Sequence, residues 1–504
     1  MIPAAQAENG EHIREQRGGL FDSPYSWITL AFGVSRILYF WAGIQFDTQI
    51  LASNFQFIDL ELLKTRLFES LYYFHMQPPL QNLLVGTAIK AFPDNYGVAL
   101  HALYLSAGLS AAMFLFVVMR RLGVSEPISL ALTIIFVSSP ACILYENFPM
   151  YEYLIMWLLL ASSLALYNLF QRPTFWRAFM FFSLLATLAW LRSLYHLFYL
   201  VGIAAVLVFA LRKNRMTIIL AAVVPIGSVL ALYLKNLLLF GLFSSSSWLG
   251  HALVTCTIHQ LTEAEKNNLI EQGKLAEIAR VESGVPVAEY RPFFPRVGPT
   301  GIPVLDEEVK STGGLNTNNI LYLKADFAYR KAAQQVLRNY PVAYARSVAI
   351  AWFCYFLPPS DFFQFEEARA HIQRLNRFYN VVFFGQFREA TGKQLRVLRS
   401  EGHTISLVLY TGIFLIIGFA VLLPAGLTYL IQGTRRRFLA PAQAALLIFV
   451  ILNITYIVAT TNFLSSFENN RYAFPSGPLY VSLIGLCLQV GMAFFRGKRQ
   501  RSVE

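Results

Sequence analysis

Charged side chains are scarce in this chain of 504 residues, because Asp, Glu, Lys and Arg together make up only 14% of it. Soluble domains carry about 25% charged residues, and disordered segments combine few apolar residues with a high net charge. Here 56% of the residues are hydrophobic and 15% are aromatic. The composition therefore argues against a soluble enzyme and against a disordered protein. Long uncharged runs indicate a polytopic membrane protein instead.

Cysteine and internal repetition are scarce as well. The four cysteines show no metal-binding or redox spacing, and they are Cys142, Cys256, Cys354 and Cys487. A disulfide between Cys256 and Cys354 in an exported loop is one alternative. Unpaired buried thiols are the other alternative and the one we favour. The chain shows no internal repeat, which weakens an inverted-repeat transporter.

The chain is basic, with 41 Lys and Arg against 29 Asp and Glu and a formal net charge of +12. These cations lie at the ends of apolar runs, as the positive-inside rule describes, which argues against a nucleic-acid-binding surface. The clusters are Arg120–Arg121, Arg212–Arg215, Arg435–Arg437 and Arg496–Arg501. With every cluster in the cytoplasm, the number of crossings between clusters is even. Both termini are then cytoplasmic.

Apolar runs of about 20 residues are long enough to cross a bilayer as helices. They predict an all-α polytopic membrane protein with ten spans, at about 25–46, 98–119, 125–145, 148–170, 174–192, 193–211, 216–235, 405–431, 440–463 and 474–495. The run Leu80–Phe92 is too short to cross, and we expect a juxtamembrane surface helix there, in the first outer loop.

The spans divide the chain into five parts. They are a cytoplasmic tail (1–24), a seven-span module (25–235) with its first outer loop at 47–97, a large outer domain of mixed structure (236–404), three C-terminal spans (405–495) and a basic cytoplasmic tail (496–504). The stretch from about Ile320 to Tyr340 has an amphipathic helical pattern. The apolar piece Ser347–Leu357 is expected at the membrane interface.

Costly polar side chains gather at the predicted outer ends of the spans. A charge at mid-bilayer costs about 2.5–3.5 kcal/mol on insertion scales, so their placement at one level is informative. They come from six separate segments and are Asp47, Glu146, Glu152, Arg192, His196, Lys235, Asn236, Glu468, Asn470 and Arg471. Ordinary interfacial anchoring by snorkelling is the alternative explanation. The first outer loop adds His75 and Gln77 on a stiff turn before Pro78 and Pro79.

With these residues in place, the chain resembles the GT-C glycosyltransferases of the protein O-mannosyltransferase and aminoarabinose-transferase group. The resemblance depends on Asp47 after the first span, the string His75-Met76-Gln77-Pro78-Pro79-Leu80, a seven-span module before a large outer domain, and Asn470-Arg471-Tyr472 with Pro475 and Pro478. Thr48 stands where the family often has a second acid. Gln77 stands where the aminoarabinose transferases have a basic residue.

The resemblance implies transfer of a sugar from a polyprenyl-phosphate donor to a hydroxyl of a glycan, lipid or protein on the extracytoplasmic face. Such a reaction needs a base for the hydroxyl and cations for the departing phosphate. We expect Asp47 as the base and Glu146 as a partner or substrate-orienting acid. The expected substrate-binding residues are His75, Gln77, Arg192, His196, Lys235, Glu468 and Arg471.

We expect no essential metal, although a divalent ion between Asp47, Glu146 and His75 is an open alternative. The sequon at Asn453 lies within a predicted span, which favours a bacterial inner membrane with a periplasmic active site. A transporter or flippase for a lipid-linked or anionic substrate is the second hypothesis. Arg36 and Pro225 lie within spans, but they have no matched partners in another half of the chain. A non-catalytic assembly partner is the third hypothesis.

Overall fold

The computed structural model describes residues 23–388, 411–466 and 468–501, and its regular elements within these ranges are helices. The one β-type contact there is an isolated bridge between Val309 and Leu315. The described part of the predicted outer domain is therefore helical and not mixed. Its Pro- and Gly-rich stretch from Gly284 to Val304 forms short helices, turns and irregular segments, as expected for residues that weaken strands.

The helices fall into three groups along the chain. The first group is α1 Pro24–Trp41, α2 Gln49–Ser53, α3 Leu60–Thr65, α4 Leu67–Tyr72, α5 Leu80–Ala91, α6 Tyr96–Arg121, α7 Glu126–Val137, α8 Pro140–Glu146, α9 Tyr151–Gln171, α10 Phe175–Leu191, α11 Leu197–Ala210 and α12 Arg215–Phe240. The central group is α13 Leu249–Cys256, α14 Glu263–Glu271, α15 Val287–Tyr290, α16 Pro303–Asp306, α17 Ile320–Asn339, α18 Pro341–Tyr355, α19 Glu366–His371 and α20 Gln373–Tyr379. The last group is α21 Ile413–Arg435, α22 Pro441–Leu464 and α23 Asn469–Arg501.

Short 3₁₀ turns and one π-helical turn complete the described structure. They are Arg212–Asn214, Ile258–Gln260, Glu277–Arg280, Arg291–Phe293, Pro359–Asp361, Phe363–Phe365 and, with π-type bonds, Asn380–Phe384.

Among the described residues, six helices are long and apolar enough to cross a membrane, and a bent pair makes a seventh crossing if it counts as one span. The six are α6, α9, α12 with its preceding 3₁₀ turn, α21, α22 and α23 up to Phe495. The bent pair is α7 and α8, which meet at 55°. The architecture is that of a polytopic membrane protein. The other predicted spans correspond to α1 (18 residues), α10 (17 residues) and α11 (14 residues), which do not meet the same criteria.

The break in the predicted span 125–145 has a local cause. Pro140 occupies the first position of α8 and has no N–H to continue the preceding helix. The Ser139 side chain accepts a hydrogen bond from the Cys142 backbone N–H and caps the new helix. A Ser-Pro pair within an apolar run therefore starts a second helix at a new angle.

Helix α9 lies at the centre of the bundle, where it packs against α6, α10, α22 and α23. The end of the bundle at which α9 begins is covered by the first loop and the central helices. Two loops join there: Lys310 donates a hydrogen bond of 2.7 Å to the Asn54 carbonyl, and the Ser311 backbone N–H donates one of 2.8 Å to Asp59 Oδ2. Amphipathic α17 confirms the predicted helix near Ile320–Tyr340 and packs on α13.

Candidate functional site

A cavity of about 470 Å³ lies where the ends of α10, α12 and α22 meet the central helices. Its wall is formed by the first loop, the bend between α10 and α11, the segment leading into α13 with α13 itself, and the end of α22 with the turn that follows it. The 3₁₀ turn at His259 and the segment at Ser283 complete the wall. Its residues are Phe55, Gln56, Gln77, Arg192, Ser193, Leu194, His196, Ser244, Ser246, Trp248, Leu249, His251, Ala252, Thr255, His259, Ser283, Thr460, Thr461, Leu464, Ser465, Ser466, Glu468 and Tyr472. Gln77, Arg192, His196 and Glu468 were predicted from the sequence.

Arg192 is the buried cation of this cavity. It follows the last residue of α10, and the residue is only 8% exposed. Its guanidinium donates hydrogen bonds to Gln56 Oε1 (3.3 Å) and the Tyr472 hydroxyl (3.1 Å). It also lies 4.2 Å from the centre of the Tyr151 ring. In the ranges that the structure describes, no carboxylate forms an ion pair with Arg192.

Arg471 lies beside Arg192 but has its charge neutralised. This 1% exposed guanidinium pairs with Glu152 at 2.8 Å and with Glu468 at 2.8 Å. It also donates a 2.7 Å hydrogen bond to the Tyr151 hydroxyl. The Glu468 side chain is 28% exposed and lines the cavity, whereas Glu152 is 1% exposed. Among the described residues, the cavity thus contains one cation without a directly paired carboxylate, Arg192, and one accessible carboxylate, Glu468.

The tyrosine between the two arginines links them to the first loop. The Tyr151 hydroxyl accepts from Arg471 and donates a 2.5 Å hydrogen bond to Gln56 Oε1, which also accepts from Arg192. Gln56 and Tyr151 were not predicted from the sequence, because neither residue belongs to a motif or carries a charge. Only the tertiary contact between α9 and the first loop makes them part of the site.

Two further histidines, His251 and His259, line the cavity in their neutral form. Burial lowers the pKa of His251 to about 4. Its ring nitrogens lie 2.8 Å from the Ser283 hydroxyl and 3.1 Å from the Tyr322 carbonyl. Burial also lowers the pKa of His259. Neither residue was predicted from the sequence, since an isolated histidine in an extramembrane domain gives no signal.

His75 and Lys235 hold the first loop and do not line the cavity. The His75 ring is fully buried between the Ser247 hydroxyl (2.7 Å) and the Asn318 carbonyl (2.9 Å), and burial lowers its pKa to about 3. Lys235 donates to the carbonyls of Tyr72 and Phe74, at 2.9 Å each. This turn aims Gln77 at the cavity, where its Oε1 accepts from Ser193 at 3.4 Å.

Asp47 and Glu146 lie outside this cavity. Asp47 is exposed, and its carboxylate accepts a 2.8 Å hydrogen bond from the Gln49 backbone N–H. Glu146 is fully buried, with Arg36 Nε and Nη2 on its two oxygens at 2.9 and 2.7 Å and the Tyr153 hydroxyl at 2.5 Å. Arg36 and Glu146 therefore form a buried ion pair with each other.

The three residues considered as metal ligands have separate surroundings. Asp47 is exposed, Glu146 pairs with Arg36, and His75 bonds to Ser247 and Asn318. Among the residues that the structure describes, no group of three or more His, Cys, Asp or Glu side chains is arranged to hold a metal ion.

A second cavity, of about 520 Å³, lies between α1, α6 and the end of α8. Its polar residues are Arg36, Gln45, His101 and Asn147, together with the Tyr39 hydroxyl. The remaining lining is apolar and includes Trp41, which is 77% exposed. Because Glu146 already neutralises Arg36, this cavity offers no free cation comparable to Arg192.

Comparisons with protein-family models, with curated proteins and with solved structures found no match for this chain.

Proposed function

We propose that this protein is a membrane glycosyltransferase that moves a sugar from a polyprenyl-phosphate donor to a hydroxyl acceptor. The observation that carries the proposal is the buried guanidinium of Arg192, which faces an open cavity and has no carboxylate partner among the described residues. A buried cation without a counterion is costly. A phosphate bound in the cavity would supply the missing negative charge.

The phosphate is the leaving group of the reaction. Arginine presents a planar fork of N–H donors that suits two phosphate oxygens at once. The Gln56 and Tyr472 contacts fix this fork before the ligand enters, so little reorganisation is needed as charge develops on the phosphate. The polyprenyl tail would lie among the apolar helix ends, which accounts for an enzyme within the membrane.

Glu468 is our candidate base in place of Asp47. Its carboxylate lies in the same cavity as Arg192, and Arg471 holds it at 2.8 Å. The acceptor oxygen attacks the anomeric carbon and forms the new C–O bond. Its proton passes to Glu468, and the bond between the anomeric carbon and the phosphate oxygen breaks. The polyprenyl phosphate departs with the electron pair of that bond.

Binding of a polyprenyl phosphate to the protein in nanodiscs, measured by native mass spectrometry, tests this proposal. Arg192→Gln should weaken binding about tenfold or more, because a charge-assisted hydrogen bond contributes roughly 1.5–3 kcal/mol. Arg215→Gln removes an exposed arginine of α12 and serves as the matched control, with unchanged binding. Equal binding by the wild-type protein and Arg192→Gln would reject the phosphate site.

The transporter hypothesis predicts a different result in sealed vesicles. Substrate-dependent flux without any covalent product would favour a flippase over a transferase.

We propose that the cavity lies on the periplasmic side of a cell inner membrane, with both termini in the cytoplasm, because of the positive-inside pattern.

A further inference from the structure

Helix α20 and the π-helical turn after it, residues 373–384, have their polar and apolar faces reversed. Asn376 and Asn380 are turned into the protein and are only 2% and 1% exposed. On the opposite face, Phe378 is 56% exposed and Val382 is 46% exposed. Residues four positions apart lie on the same face of a helix. A helix on a surface that faces water has the reverse arrangement, with its apolar stripe inside.

Hydrogen bonds hold the polar face of this segment inside the protein. The Asn380 side chain donates to Asp361 Oδ1 (3.3 Å) and to Gln386 Oε1 (3.0 Å). Gln386 donates to Asp361 Oδ2 at 2.7 Å, and Arg369 pairs with the same carboxylate at 3.0 Å. Rotation of the helix to exchange its faces would remove a partner from the buried Asp361, which is costly. The fold therefore keeps the apolar face turned outward.

The outward apolar face lies beside the start of α21, which is long and apolar enough to cross the membrane. The π-helical turn packs against this end of α21, and a Cβ atom at Gly385 would lie 2.9 Å from the Phe414 ring. Ile413 and Phe414 are 41% and 48% exposed, and only 6% of the most apolar window of α21 is buried inside the protein. Lipid is the medium that suits such a helix. Residues 373–384 thus lie at one end of a lipid-facing surface.

From the reversed faces and this position we infer that residues 373–384 lie in the plane of the bilayer surface, with Phe378 and Val382 in its hydrocarbon. The partner of this face is lipid, because lipid covers it and the neighbouring start of α21 at once. Arg374 and Arg377 are exposed and lie three positions apart, as neighbours on the helix surface. Their guanidinium groups border the apolar face and can reach lipid phosphates, as in other interfacial helices. The inference does not depend on the transferase proposal.

Spin-label accessibility of the full chain in nanodiscs tests this placement. The single variants Phe378→Cys and Val382→Cys, in a Cys487→Ser background, each carry one nitroxide, since the other cysteines are buried. Power-saturation electron paramagnetic resonance measures collisions of the nitroxide with oxygen, which concentrates in hydrocarbon, and with a nickel chelate, which stays in water. We expect oxygen collisions to exceed nickel collisions at both positions. Phe414→Cys is the matched lipid control, and exposed Glu289→Cys is the matched water control.

Two results would overturn the inference. An excess of nickel collisions at Phe378 and Val382, as at Glu289, would show that the face lies in water. Few collisions with either reagent would show that protein covers the face, whether another part of this chain or a second copy. Arg377→Cys adds a check on the orientation, because its oxygen-to-nickel ratio should be lower than that of Phe378→Cys. A higher ratio at position 377 would also contradict the inference.

Discussion

Two buried arginines at the same end of the bundle differ in their counterions. Arg471 has carboxylates at 2.8 Å on two sides, whereas Arg192 contacts an amide oxygen, a phenol and an aromatic ring. This difference fits the proposed roles, in which Arg471 holds Glu468 and the charge of Arg192 binds the phosphate. A count of charges along the sequence does not distinguish the two.

The identity of the base is testable by paired isosteric substitutions. Glu468→Gln should reduce transfer at least a hundredfold, because an amide cannot take the acceptor proton. Asp47→Asn should retain most of the activity, since Asp47 does not line the cavity with Arg192. The measurement is mass spectrometry of envelope glycans from cells that lack the gene and carry each variant. Loss of product with Asp47→Asn and not with Glu468→Gln would return the base to Asp47.

We expect the Arg36–Glu146 pair to be necessary for the stability of the fold. Glu146→Gln leaves a buried guanidinium without its counterion, which should destabilise the fold by about 3–5 kcal/mol. The double variant Arg36→Met with Glu146→Gln should recover much of that loss, because the unpaired charge is gone. Thermal unfolding in detergent measures the stability of the single and the double variant. Equal melting temperatures for the single variant and the wild-type protein would contradict a structural pair.

Sequence alone placed Gln77, Arg192, His196 and Glu468 in one site, because each lies at a helix end or turn on the same side of the bundle. It did not find that Arg36 and Glu146 pair, since that contact depends on how α1 and α8 are rotated. The cost of burying a charge can be estimated from the sequence, whereas the identity of its partner 110 positions away cannot.

Short polar breaks within apolar runs explain why several observed helices are shorter than the predicted spans. Most predicted spans have a helical counterpart, but Ser139 and Pro140 split one of them. The bend Arg192–His196 shortens α10 and α11. Hydropathy averages over a window of residues, so it detects the apolar run and misses the capped break within it.

The contact between the first loop and the central helices depends on Asn318. Its side-chain oxygen accepts from the backbone N–H groups of His75 (2.9 Å) and Met76 (3.2 Å). Asn318→Ala leaves these buried donors unsatisfied, at about 1–3 kcal/mol each. Hydrogen exchange at residues 74–77 should accelerate at least tenfold. Thr312→Ala, which removes an exposed contact to Ala52, is the control and should change exchange there little.

The central helices should respond to acid through His251. The unfolded histidine takes up its proton near pH 6.5, but the folded one only near pH 4. The stability that depends on neutral His251 is therefore full above pH 6.5 and is lost as the pH falls towards 4. Neighbouring Asp326, whose pKa burial raises to about 7, acts with the opposite sign.

Comparison with His251→Gln isolates this effect, because Asp326 is present in both proteins. The melting temperature of the wild-type protein should fall more steeply between pH 6.5 and 4 than that of the variant. Parallel curves would show that His251 is not buried in its neutral form.

A periplasmic cavity requires that the central helices and the basic clusters lie on opposite sides of the membrane. Cysteines introduced at exposed Glu289 and exposed Arg436, in a Cys487→Ser background, report the two sides. A membrane-impermeant maleimide should label position 289 from the periplasm and position 436 only after the membrane is opened. Labelling of both positions from one side would contradict the positive-inside topology.

An electron cryo-microscopy map of the protein in nanodiscs with added polyprenyl phosphate would show directly whether Arg192 binds the phosphate. We expect phosphate density within hydrogen-bonding distance of the Arg192 guanidinium and the Tyr472 hydroxyl, with the tail extending into the bilayer. Phosphate density in the second cavity beside Arg36 and His101, with the Arg192 cavity empty at saturating lipid, would contradict the account.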